Sequence, residues 1–159
     1  MSEDWLFDDT DRRFMTEALA AAREAGGRGE VPVGAVVVRD REMVARQGNR
    51  REELADPSAH AELLALREAG AALGDWRLQG CTVYVTLEPC PMCVAACRQS
   101  RVDLVVWGAD DPRAGACGSV VDIAEDPRLG PPLAHRGGLE AAECARLLRR
   151  FFAKRRRSQ

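Results

Sequence analysis

The sequence predicts an α/β layered domain built around a central sheet. Two observations carry this. Short β-branched runs recur at 33–38, 81–87 and 102–107. Stretches with apolar residues at helical spacing lie between and around them. Strands that alternate with helices in this way pack as layers about one sheet.

The elements follow in order. Asp9 or Thr10 is placed to cap a first helix, in which Phe14, Met15, Ala18, Leu19, Ala22 and Ala25 recur until Gly26-Gly27. Val33 to Val38 and Met43 to Gln47, joined at Asp40-Arg41, read as an antiparallel hairpin. Asp56 as cap and Pro57 in the first turn start a second helix, which runs to about Ala72 and buries Leu63, Leu64 and Leu66. Cys81 to Leu87 is the third strand, Cys90-Pro91 to Gln99 the third helix, and Val102 to Trp107 the fourth strand. From Ala109 to Gly138 the chain is rich in Gly, Pro and Asp, with one helical turn expected at Val120 to Ala124 and a fifth strand near Leu133 to Arg136. A last helix is expected over Glu140 to Phe152, with Cys144, Leu147, Leu148, Phe151 and Phe152 on its apolar side.

Residues 1–159 are expected to form a single domain, and 46% hydrophobic residues suffice for a sizeable core. No run approaches the roughly 20 apolar residues of a membrane helix. Met1 to Arg13 is acidic and lacks a secretory apolar region, so a cytoplasmic enzyme is expected. The six cysteines then read as metal ligands or buried residues rather than disulfides. The net charge of −2 argues against a general nucleic-acid coat protein. Yet seven cations and no acid lie from Arg146 onward, ending in a basic tail at about 153–159. Such a stretch suits phosphate contact, or simply a helix C-terminus.

The chemistry concentrates in two segments. His60-Ala61-Glu62 and Pro89-Cys90-Pro91-Met92-Cys93 are separated by 26 residues. One imidazole and two thiolates make three zinc ligands, and catalytic zinc takes three protein ligands and keeps a position for water. Cys90 and Cys93, at i and i+3 of a helix start, share a face, and the helix N-terminus favours their thiolates. Glu62 is then the proton carrier. Two residues span about 200° of an ideal helix, so His60 and Glu62 can serve one site only near the helix's N-terminal end.

From roughly Asp11 to Phe152 the chain resembles the bacterial tRNA-specific adenosine deaminases of the cytidine/deoxycytidylate deaminase superfamily. The resemblance rests on Val31-Pro32-Val33-Gly34-Ala35-Val36, Asp56 to Arg67, Tyr84 to Cys93 and Gly115 to Asp122. It implies a cytidine-deaminase-like three-layer fold, a five-stranded mixed sheet with flanking helices. It implies one Zn2+ per chain on His60, Cys90 and Cys93, with Glu62 catalytic in converting the wobble adenosine of a tRNA anticodon stem-loop to inosine. A homodimer is implied too. Asn49 is implied to bond the flipped base, the Ala61 backbone to contact it, and Asp111 to lie near the substrate ribose. Asp110 departs from the arginine or lysine often found at its position in that family.

Several alternatives stay open. Asn49, after Gly48, is also a good turn residue, and Asp111 could simply cap a turn before Pro112. Trp5, Trp76 and Trp107 could stack on bases or merely pack. A free nucleobase or nucleoside deaminase, of guanine or cytosine class, would share the signature. A structural zinc module would need a fourth ligand, such as Cys97 or His135.

Overall fold

In the computed structural model, residues 6–158 are described. Trp5 lies outside them. The elements run α1 (Asp9–Gly27), β1 (Gly34–Arg39), β2 (Glu42–Gly48), α2 (Arg51–Leu54), α3 (Ala61–Leu73), β3 (Cys81–Leu87), α4 (Pro91–Gln99), β4 (Leu104–Ala109), β5 (Ala134–Arg136) and α5 (Ala141–Arg157). The sheet order is β2-β1-β3-β4-β5. β1 pairs antiparallel with both β2 and β3, whereas β3–β4 and β4–β5 are parallel, so the sheet is mixed as expected.

Alternation along the strands builds the three layers. Ala35, Val37, Val83, Val85, Val105 and Trp107 face one buried cluster, which takes in Ala61, Ala65 and Ala69 of α3 and Val94 and Cys97 of α4. Val36, Val38, Tyr84 and Val106 face the other, with Phe14, Met15, Ala18 and Leu19 of α1 and Cys144 of α5. Gly34 allows α1 to lie directly on β1, because a Cβ there would overlap the Ala18 carbonyl oxygen. The hairpin turn places Asp40 and Arg41 at φ 51° and 63°, the left-handed pair of a two-residue connection.

Several boundaries differ from expectation. Asp8 rather than Asp9 or Thr10 caps α1, in a reciprocal pair with Asp11. Asp56 does not start α3. Its carboxylate accepts from the Ser58 N–H and hydroxyl in a local turn, and the helix begins five residues later. The short α2 was not foreseen; the buried Glu30 carboxylate caps it from afar by accepting from the N–H groups of Glu52 and Glu53. β4 starts at Leu104 rather than Val102. The helical turn expected at Val120 to Ala124 is absent. Cys117 and Asp122 instead form an isolated bridge, and a 3-10 turn follows at Pro127–Leu129. The last helix outruns its expected end at Phe152, so residues 153–157 are helical.

Candidate active site

The starts of α3 and α4 meet the carboxyl ends of the parallel strands β3 and β4, a common ligand position in α/β folds. His60 is the N-cap of α3, extended at φ −73° and ψ 147°, and Glu62 lies in the first helical turn. His60 is therefore outside the helix, and the 200° separation of an ideal helix does not apply. Cys90 is the N-cap of α4, with Pro91 in the first turn and Cys93 buried behind it.

These placements bring the three ligand residues together. His60 Nδ1 lies 3.6 Å from Cys90 Sγ and 3.4 Å from Cys93 Sγ. All three ligand atoms fall within 4.8 Å of one another. Tetrahedral zinc, with Zn–S near 2.3 Å and Zn–N near 2.0 Å, requires nitrogen–sulfur separations of about 3.5 Å. The donor set and its spacing therefore fit zinc. Among the described residues the group holds no fourth side-chain ligand. Cys97 is buried in the core. His135 bonds Glu125 at 3.1 Å and stacks on Trp107.

The bond from the Cys93 thiol holds the Cys90 pKa down to about 4 against the opposing effect of burial, with His60 acting in the same direction as Cys93. The same bond, together with burial, pushes Cys93 up. The Cys90 partner raises His60. Glu62 is only 4% exposed, and burial pushes its carboxyl upward.

Asn49 is also buried, and both ends of its amide are engaged. Its oxygen accepts from the Ala61 N–H at 2.8 Å, and its nitrogen donates to the Val31 carbonyl at 3.2 Å. The Ala61 N–H is thus held by Asn49. Asp111 lines the same cleft, and one of its oxygens accepts from the N–H groups of Arg113 and Ala114. Asp110, by contrast, accepts from the Trp107 indole at 3.1 Å. Its departure from a basic residue is absorbed by an internal bond. Trp107 is buried, while Trp76 is exposed, with the guanidinium groups of Arg77 and Arg101 against its ring.

The cleft over the ligands is lined by His60, Glu62, Cys90, Asn49, Glu88 and Asp111 and holds about 160 Å³. Drug-sized pockets run to roughly 300–1,000 Å³, so this cleft suits one flat base. A second cleft of about 320 Å³, which reaches Arg155 of α5, shares Val31, Asn49 and Arg51 with it. A further cleft, of about 630 Å³, lies at the C-terminal end of α4 beside Trp76 and Gln99, away from the ligands.

Glu88 was missed by sequence reasoning. It is 2% exposed, and its carboxylate accepts from the N–H groups of Asp111, Cys117 and Ser119 and from the Ser119 hydroxyl. The available signal was an acid at a strand end, immediately before Pro89.

Comparison with known proteins agrees with this geometry. The family model described as the cytidine and deoxycytidylate deaminase zinc-binding region matches residues 8–109. A tRNA-specific adenosine deaminase of Bacillus subtilis is 44% identical, over 94% of this chain and 92% of its own. One from Agrobacterium fabrum is 47% identical, over 90% of this chain and 94% of its own. A structure solved in work on A-to-I editing by tRNA:A34 deaminases at the wobble position of transfer RNA is similar with TM-score 0.83 and 46% identity, covering 86% of this chain and 99% of that one.

Proposed function

The chain belongs to the cytidine and deoxycytidylate deaminase family, and from that premise we propose that it deaminates adenosine to inosine at the wobble position of a tRNA anticodon loop. The observation that carries this reading is the small cleft over the ligands beside a larger one that reaches a basic helix, with Val31, Asn49 and Arg51 lining both. A base enters the first, and the strand it belongs to has room in the second. An unpaired loop base reaches such a site without melting a duplex.

His60, Cys90 and Cys93 would hold one zinc ion per chain, which when bound would supply a water acidified toward pKa ~7. Glu62 takes a proton from that water and delivers it to the purine ring. A C6–O bond forms, Glu62 passes the remaining hydroxyl proton to the amino group, the C6–N bond breaks, and ammonia leaves. Burial suits Glu62 to this exchange, because a raised carboxyl pKa lets it hold the proton between the two transfers. Asn49 has its oxygen committed to Ala61, so it meets the base as a donor. Ala61 serves the pocket through that bond. Asp111 lies at the cleft wall, on the side of the substrate ribose.

This reading includes a homodimer, supported by the exposed apolar side chains of Met92, Val120 and Val121. It also places the enzyme in the cytoplasm with its tRNA; among the described residues, no helix is long and apolar enough to cross a membrane. Zinc-loaded protein is to be offered an anticodon stem-loop, guanine and cytidine in parallel. Inosine in the stem-loop alone supports the assignment. Turnover of guanine or cytidine with an untouched stem-loop moves the enzyme to the free-base class.

A further inference from the structure

Glu88 is chemically conspicuous. A carboxylate offers about four acceptor positions and no donor. Here it meets four donors at once: the N–H groups of Asp111 (3.1 Å), Cys117 (3.0 Å) and Ser119 (3.2 Å), and the Ser119 hydroxyl. These donors lie 23 to 31 residues along the chain, so the bonds join two distant segments. Gly115 sits against the same carboxylate, where any Cβ would overlap it. Two backbone bonds flank the brace, Glu88 N–H to Ala109 and Ala116 N–H to Pro89. Glu88 also lines the small cleft, together with His60 and Glu62.

We propose that Glu88 is a positioning residue: its buried carboxylate pins the Asp111–Ser119 loop to the strand end that carries the cysteine ligands, and so fixes the wall against which the substrate strand is held. The proposal rests on the RNA-editing reading for its substrate. Glutamine does not meet all four donors, because it would turn an NH2 group toward N–H donors that need acceptors. The consequence falls on substrate binding rather than on the metal, because His60 and Cys90 are placed by the N-termini of α3 and α4, where they are the N-cap residues. A misplacement of about 1 Å in such a wall costs up to roughly 100-fold.

The test compares wild type with Glu88→Gln by zinc content, by amide hydrogen exchange and by steady-state kinetics on the anticodon stem-loop. The expected result is full zinc, faster exchange at the Asp111, Cys117 and Ser119 amides, a KM raised roughly 10- to 100-fold, and kcat within about three-fold. Unchanged exchange and KM overturns the proposal. So does a fall in kcat that tracks lost zinc, since Glu88 would then act through Cys90. If Glu88→Gln does not fold, Ser119→Ala removes a single donor; it is expected to raise KM by a smaller factor at full zinc, and an unchanged KM rejects the brace. If wild-type enzyme makes no inosine, the substrate reading fails, while exchange at the three amides still decides whether Glu88 holds the loop.

Discussion

Replacing Asn49 by alanine removes a buried bond from the N–H of Ala61 and a part-buried one to the Val31 carbonyl. Each buried group left without a partner costs about 1–3 kcal/mol, and together they cost roughly 2–4 kcal/mol after partial relaxation. For a domain of this size each kcal/mol moves Tm by roughly 2–4 °C, so the variant is expected to melt roughly 4–16 °C lower. The loss is local in origin. Ala61 is the first residue of α3, between His60 and Glu62, so freeing its N–H loosens the segment that presents both. Zinc affinity is therefore expected to weaken along with stability, and kcat/KM to fall further because the donor to the base is gone. The assays are thermal melting of the metal-free and zinc-loaded variant, and zinc titration. A Tm shift below about 2 °C with unchanged zinc affinity would refute the idea that Asn49 clamps the helix start, and would leave it a base contact only.

Other substitutions and conditions probe different parts of the structure. Glu62→Gln is expected to keep zinc but lower kcat by about 10²–10⁴-fold, measured by inosine release from the stem-loop. Gly34→Ala forces a methyl group into the Ala18 carbonyl oxygen and is expected to destabilise by about 1–3 kcal/mol or more in denaturant melts. Burial pushes the Cys144 thiol up to about 12 from its usual 9. The folded state holds that proton after the unfolded chain has lost it, so stability is full below pH 9 and falls as pH rises toward 12. Each such thiol contributes about 1.4 kcal/mol per pH unit, and Cys144→Ala should flatten the alkaline decline by about that slope.

The parts of this protein that were legible in the sequence are those written in contiguous residues. Cys81–Leu87 stands as a strand and Pro91–Gln99 as a helix where the patterns placed them. The hairpin at Asp40-Arg41 was likewise readable from local spacing, and the His60, Cys90 and Cys93 cluster from two short motifs that the family resemblance joins. The start of α3 was not, because Asp followed by Pro and Ser has the same chemistry whether it caps a helix or closes a turn. The Ser58 bonds select the turn. Nor was the irregular stretch after β4 legible, since Glu88 and Arg98 organise it from outside. Arg98 donates to the carbonyls of Ile123, Ala124, Asp126, Gly130 and Pro131, a grip that no periodicity announces. The Asn49–Ala61 bond and the Asp110–indole bond are hidden for the same reason: each depends on how the folded chain brings the partners together.

The most direct measurement is the sequencing of cellular tRNA after incubation with zinc-loaded wild type and with zinc-loaded Glu62→Gln. Wild type should convert adenosine to a base read as guanosine at the wobble position alone, and the variant should leave it as adenosine. An unaltered wobble adenosine with fully metallated wild type, or equal conversion by the variant, would contradict the account.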